Sequence, residues 1–448
     1  MTNYFRPSRR LDVARRTVST GRRSPLAAWT TLPLLLLSAL APAFPARAQD
    51  GPSPLIWGGF GLARGASVEG APSWRDGGFG VFESGAEDDE SSGLGQAHMT
   101  LEWRPSDRWG AYVHAVARAE PEALEGREVG VVEAYAEVNF EARDADLWTV
   151  RLGHYLLPTS RENVDVGWSS PYALSFSALN TWIGEEVRAT GALGIYQLAV
   201  GQTDEIQLGG GVFYNNDTAG TLIAWRGWAL GDRLSVYGEY APLPPLRGFM
   251  EGGAFDIQDP RGTNPFGSDL DGRAGWNAFA GYSRPEVGSV RYTHYDNRGD
   301  RGFYVNEYAW RTRFDLIGAD YHWGPWSFAA EWMDGSTGMG DPTERHVQLD
   351  YRAGYVLASY GGAGFRVTAR YDDFETIERD ESVGYDPNDG GGSAWALAAF
   401  YEPERYPLRL GAEWLDVDAE RTSSGLVTGD RTVGGQSLTV ELRYFFGN

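Results

Sequence analysis

The chain has 448 residues, 39 basic and 61 acidic side chains, a formal net charge of −22 and no cysteine. An acidic excess of this size argues against nucleic acid as a partner, and without thiols neither a disulfide framework nor a thiolate metal site can form. The mean hydropathy of −0.38 and the lack of any run near 18 apolar residues beyond residue 48 exclude a helical membrane span.

Residues 1–48 read as a cleaved export signal. Arg6, Arg9, Arg10, Arg15, Arg16, Arg22 and Arg23 form a basic leader, Leu26 to Phe44 an apolar core, and Ala46-Arg47-Ala48 a small-residue cleavage site before Gln49. An N-terminal anchor is the alternative, but Pro33 and Pro42 interrupt a core already short for a span. With eight Arg and one Asp in the leader, the remaining 400 residues carry 31 basic and 60 acidic side chains, and every basic one is Arg because the chain has no lysine.

Residues 49–448 then read as one barrel domain built from alternating segments. Ala97, Met99, Leu101 and Trp103 share one face; Pro105-Ser106-Asp107-Arg108 turns, and Trp109, Ala111, Val113, Ala115 and Ala117 return. Val132, Ala134, Ala136, Val138 and Phe140 alternate with Glu133, Tyr135, Glu137 and Asn139. Trp148, Val150 and Leu152 follow. Further strands are expected at 195–202, 206–215, 219–229, 234–241, 274–283, 288–296, 314–323, 326–334, 345–359, 364–373, 393–402, 407–417 and 437–446, the pair 219–229 and 234–241 joined at Gly231-Asp232-Arg233. In the last of them Leu438, Val440, Leu442, Tyr444 and Phe446 oppose Thr439, Glu441, Arg443 and Phe445. A period of two fits a strand with lipid on one side and water on the other, and equally a half-buried strand of a soluble sandwich.

Connection lengths and charge favour the membrane. Tight turns at 105–108, 231–233 and 324–325 alternate with long connections at 65–93, 155–185, 242–273, 374–392 and 418–435, as in barrels with short turns at one end and long loops at the other. At about 22 to 25 residues per strand with its connection, 400 residues allow roughly 16 strands, or 18, wide enough for a channel. The polar face collects Glu102, Arg118, Glu133, Glu137, Arg151, Arg188, Glu239, Arg291, Glu331, Asp350, Arg352, Arg366, Arg370, Asp372, Arg409, Glu413, Glu441 and Arg443. The opposite face is expected to carry no ionisable residue except His294. The acidic surplus therefore falls to loops such as Glu87-Asp88-Asp89-Glu90 and Asp256 to Asp271, solvated or bridged to lipopolysaccharide by divalent cations. Tyr385 to Gly390 lacks the spacing of an EF-hand and reads as a turn.

The segment His154 to Gly191 is too long for a turn and too aromatic for a free loop. Folded into the barrel, it would bring Arg161, Glu162, Asp165, Glu185 and Glu186 to a constriction beside Arg151 and Arg188, with Glu133, Glu137, Arg118, Arg366, Arg370, Glu413 and Arg443 lining the lumen. Packing against the rim or another subunit is the alternative.

EAYAEVNF at 133–140, VRLGHYLLPTSREN at 150–163 and WIGEEVRATG at 182–191 resemble the phosphate-selective porin-like proteins of Gram-negative outer membranes. The resemblance implies a 16-stranded, trimeric diffusion channel with a loop constricting its lumen. Phosphate specificity does not carry over, because the lining is balanced in sign and lysine is absent. The expectation is an all-β outer-membrane porin for small hydrophilic solutes or ions, with no cofactor and no catalytic or metal residue. Outer-membrane lipid and lipopolysaccharide are its surroundings, and Leu438 to Phe446 is the segment expected to engage the barrel-assembly machinery. Two other classes stay open: a closed structural or adhesive barrel, and an outer-membrane hydrolase, although the six histidines form no recognisable motif.

Overall fold

A computed structural model describes residues 54–448 apart from 86–90, 120–127, 143–145, 265–268, 342, 344–345 and 381–385. The export signal and Glu87-Asp88-Asp89-Glu90 therefore lie outside the described residues.

Sixteen antiparallel strands close into a barrel. They are β1 (Leu55–Gly70), β2 (Ser91–Ser106), β3 (Trp109–Ala119), β4 (Val129–Glu141), β5 (Leu147–Leu156), β6 (Arg188–Val200), β7 (Asp204–Tyr214), β8 (Gly275–Arg284), β9 (Gly288–Asp296), β10 (Arg311–Trp323), β11 (Trp326–Gly340), β12 (His346–Gly362), β13 (Phe365–Glu378), β14 (Gly390–Tyr401), β15 (Leu408–Arg421) and β16 (Gly435–Gly447). Each strand pairs with its sequence neighbours, and β1 closes on β16 from Gly58↔Gly447 to Gly70↔Gly435. The closed barrel itself has no free edge strand to template association. The side chain of Asn448 accepts from the Trp57 N–H at 2.9 Å and fastens the seam.

Alternation sorts the two faces. On β16, Leu438 and Val440 are each 55% exposed, whereas Glu441 and Arg443, on the opposite face, are buried in the lumen. Aromatics edge the apolar exterior at two heights. Trp103, Trp109, Trp148, Trp323, Trp326 and Phe365 lie by the tight turns, and Trp276, Trp332 and Trp395 lie nearer the long loops. Such girdles mark the two interfaces of a bilayer.

The structure corrects the expected strands in two places. Residues 219–229 and 234–241 are not wall strands. They lie in the long β7–β8 connection, where Thr221–Trp225 forms a short buried helix. Their apolar pattern reflects enclosure on every side within the lumen, not a lipid-facing stripe. Conversely, β1 falls partly in what reads as a loop, because its glycines dilute the alternation. Gly59, at φ +153°, shows why one is needed: a Cβ there would meet the His98 carbonyl oxygen at 2.0 Å.

Two charge assignments also change. Asp350 and Arg352 face outward, paired with Arg379 and Glu375, while Leu349, Tyr351 and Ala353 face in. The phase reads inverted because the lumen here is apolar, packed against an inserted helix. The outer face is likewise not free of charge: Asp315, Asp334 and Arg352 are exposed on it, and Asp315 accepts from His294 at 2.8 Å. At about 3.3 Å per residue, the 17 residues of β12 exceed a bilayer core of about 30 Å, so its loop-side third stands in water or headgroups. A smaller correction concerns Val132, which a bulge opposite His114 and Ala115 turns into the lumen.

Candidate functional site in the barrel lumen

The connection 157–187 crosses the lumen from β5–β6 to the far wall. Helix α1 (Ala178–Glu186) starts at Ser177, whose hydroxyl accepts from the Asn180 N–H, and packs against β11, β12 and β13. Acids hold it at each contact. Glu162 accepts from the Ser177 N–H at 2.7 Å and from Asn180 at 2.9 Å, and pairs with Arg370 at 3.2 Å. Asp372 accepts from the Ala178 N–H at 3.0 Å, and Glu413 from the Leu174 N–H at 2.8 Å. Arg370 donates to the Ser175 and Phe176 carbonyls at 2.6 and 2.9 Å, and Glu331 accepts from Asn180 and Tyr355. Glu162, Arg370 and Asp372 are both ion-paired and hydrogen-bonded, whereas Glu331 and Glu413 are held by neutral hydrogen-bond donors and form no ion pair among the described residues.

The connection 215–274 enters as well. Helix α2 (Thr221–Trp225) is wholly buried, and Trp225 packs edge-on against Phe249 and Trp310 with ring centres at 4.9 and 5.0 Å. Its indole donates to Asp386, and the Trp182 indole donates to the Gly227 carbonyl at 2.7 Å. Residues 71–85 join them: the Leu230 N–H donates to the Val81 carbonyl. Together with the inner faces of the strands these segments build one continuous apolar cluster. The loop-side half of the lumen is thus a packed core.

Two polar cavities lie beside the core, towards the tight-turn end. The larger, about 400 Å³, is lined by Arg104, Glu137, Asn139, Thr149, Arg151, Gln197, Gln207, Phe279 and Arg291. Glu137 pairs with Arg151 at 2.9 Å and Arg104 at 3.5 Å, and Arg151 lies over Tyr135. The second, about 200 Å³, shares Gln207 and Arg291 and adds Arg161, Ser283 and Ser289. Arg291 donates to Gln207 at 2.6 Å and to the Pro158 carbonyl, and lies over Phe279. Neither Arg161 nor Arg291 forms an ion pair among the described residues, and each keeps a buried Nε without a partner.

The expected site residues therefore divide. Arg151 and Glu137 line the larger cavity and Arg161 the smaller. Glu162, Arg370 and Glu413 anchor the inserted segment on the far wall, and Arg366 lies over Tyr172 of that segment. Arg118, Glu133 and Arg188 meet inserted backbone: Arg118 donates to the Leu234 carbonyl, Glu133 accepts from the Leu156 N–H at 2.8 Å, and Arg188 donates to the Ser235 carbonyl at 2.5 Å. Asp165 pairs with Arg409 at 3.0 Å, and Arg443 pairs with Glu441, which also holds Arg64. Glu185 and Glu186 close α1, with side chains outside the described residues. Sequence reading missed Arg104 and Gln207 because only the fold brings their strands to one cavity. It also took Asp232 for a turn residue, whereas it pairs with Arg64 at 2.5 Å.

Two clusters outside the cavities carry ligand-type side chains. His98 and His114 approach to 3.1 Å between ring nitrogens, with Phe60 stacked on His98. In the long loops the carboxylates of Asp217, Asp269 and Asp271 lie within 4.8 Å of one another. Burial, with the neighbouring acids, pushes Asp217 up to about 6, although it accepts from the Leu270 and Asp271 N–H groups.

The chain matches no protein-family model and no curated protein. It is similar in fold to solved barrels. OmpF of Salmonella typhi, in a complex with daunomycin, superposes with a TM-score of 0.51 at 11% identity, covering 88% of this chain and 97% of that one. The outer membrane channel DcaP of Acinetobacter baumannii gives 0.50 at 10% identity, covering 88% and 97%. The chain shares its fold with these two proteins; here it is a closed 16-stranded antiparallel β-barrel with the connection 157–187 folded into the lumen.

Proposed function

We propose that the protein is an outer-membrane porin that lets small hydrophilic solutes or ions diffuse through an off-centre passage. The observation that carries this is the pair of adjoining polar cavities beside the inserted segments, lined by Arg104, Glu137, Arg151, Arg161, Gln207 and Arg291. Arg151, Glu137 and Arg161 are its constriction residues. The barrel resides in the outer membrane through its belted exterior, after export behind the leader at 1–48, assembly through Leu438 to Phe446 and association as a homotrimer. Four arginines against the single acid Glu137 leave this lining net positive, which favours polar solutes and opposes the acidic balance of the chain as a whole.

A second reading is favoured by the apolar cluster itself: a barrel closed by its own inserted segments, with a structural or adhesive role. Single-channel recording of residues 49–448 folded in detergent and inserted into a planar bilayer decides between them. Stepwise openings smaller than those of an unobstructed 16-stranded pore support the passage. Silence from protein shown to be folded supports the closed barrel.

A further inference from the structure

Charge rings the outer wall at one height, but only on part of the circumference. Eight residues above the aromatics at the tight-turn ends, counting from Trp323, Trp326 and Phe365, Asp315, Asp334 and Asp373 face outward on β10, β11 and β13. At the same count from Trp57, Trp103 and Trp109 stand Gly65 on β1, Gly95 on β2 and Ala117 on β3. The apolar wall continues on β4, where Val131 and Val129 pair with Ala115 and Ala117 and Val129 is 68% exposed. The aromatics nearer the long loops belong to β8, β11 and β14, and the loop-side halves of β1–β6 carry no outward aromatic among the described residues.

The same sector contains a break in the wall. β4 and β5 pair only up to Ala134↔His154, although β4 runs on along β3 to Val129 and β5 along β6 to Leu156. Residues 233–239 of the inserted connection fill the break. Leu234 and Val236 pack with Val116, Val132 and Leu156, the Tyr237 N–H donates to the Val131 carbonyl at 2.9 Å, and Arg188 holds the Ser235 carbonyl. Tyr237 emerges on the outside, edge-on to His154 with ring centres at 5.5 Å, and stays 46% exposed. A segment rooted in the lumen therefore reaches the outer surface.

A collar of charge marks the height at which hydrocarbon ends. Apolar wall at that height, left bare, would stand in headgroups or water, where lipid chains do not cover it. We propose that a second copy of this chain covers the sector from β16 to β5, with Tyr237 and Val131 at the contact. The face is complementary to itself. Val129, Val131, Leu152 and Tyr237 form a raised edge, and Gly61, Ala63, Gly65, Gly95 and Ala97 form a low floor on which the edge of the next copy seats closely. Six strands about 4.8 Å apart over a bilayer core about 30 Å thick offer roughly 900 Å², comparable with the roughly 800 Å² per partner of a stable interface. An edge-on-floor contact is heterologous and closes into a ring. The neighbouring copy then seals the break from outside and holds the inserted connection in place. The inference rests on the barrel standing in a membrane, as proposed above, and not on whether it conducts.

The test uses the full chain in isolated outer membranes. A photoreactive benzophenone residue replaces Tyr237 or Val131 and, as a control, Val356, which faces outward on β12. Irradiation is expected to give an adduct of twice the chain's mass from positions 237 and 131, with peptides of this chain alone, and none from 356. Ala115→Arg, within the face, is expected to convert the detergent-solubilised assembly to folded monomer. Should that variant fail to fold, the adducts of the otherwise unaltered chain still decide. A folded, membrane-embedded barrel that gives no self-adduct from 131 or 237, whether those positions capture lipid, a different protein or nothing, overturns the interface and leaves the membrane reading standing. A chain recovered folded but outside the membrane overturns both.

Discussion

Glu307, in a two-residue ribbon of the β9–β10 connection, shows how an isolated residue couples this fold to pH. Burial pushes its carboxyl up to about 8, with Asp259 adding to the rise and Arg261 and the Asn264 N–H opposing it. A raised folded-state pKa means that the protonated form is the one the fold prefers. Its contribution is full below the unfolded value near 4.5 and is lost as pH climbs through 8. Glu307→Gln is therefore expected to leave thermal stability unchanged at pH 4 and to raise it increasingly up to pH 9, by at most about 1.4 kcal/mol per pH unit across that window. A chemical-denaturation series at four pH values checks it. In the passage, Arg161→Glu is expected to move the zero-current potential in a salt gradient towards the cation, with a several-fold change in permeability ratio, because the substitution reverses the sign of a cavity-lining charge that forms no ion pair among the described residues.

Among the elements, the inserted segments carry the most information. Arg370 stands between Glu162 and Asp372 with none of the three in contact with water. Arg370→Met strands two buried carboxylates and is expected to cost about 3 to 5 kcal/mol, read as a lowered midpoint in denaturant. Trp225→Ala opens the centre of the apolar cluster and is expected to cost a similar amount, about 3 to 5 kcal/mol. At 154–191 aromatic and leucine content showed that the segment is sheltered, but left packing into the barrel and packing against the rim or another subunit both open, and the structure decides for the lumen. For 219–241 even shelter was not legible, because a short apolar run surrounded by core has no phase that distinguishes it from a wall strand. The residues of β12 misled for a related reason: Leu349, Tyr351 and Ala353 are apolar because α1 covers them, and an apolar inner face looks like a lipid face in sequence.

At the scale of the whole molecule, the outside is divided into zones by height. Val440 lies in the apolar belt and Asp334 above the nearby Trp332. Val440→Arg is expected to destabilise the barrel by about 2 to 4 kcal/mol in lipid vesicles, and Asp334→Arg by less than 1 kcal/mol. Urea titration of the two variants in vesicles separates them. Equal costs would mean that the belt reaches the loop-side third of the strands.

The sequence by itself determined the class of architecture: alternation, connection lengths and the lack of any helical span leave a barrel of about 16 strands as the one membrane structure that satisfies its backbone. It also marked Arg151 and Glu137 as residues for the interior, since strand phase is a local property, and Arg161 through the length and aromatic content of its segment. Only the tertiary structure decided what the interior contains. Whether a lumen is water or packed core depends on chains that meet from opposite walls, as Glu162 meets Arg370 and Asp232 meets Arg64, and those pairs are 208 and 168 residues apart. No local pattern encodes an encounter at that distance, so the filled half and the off-centre passage became visible only once the barrel had closed.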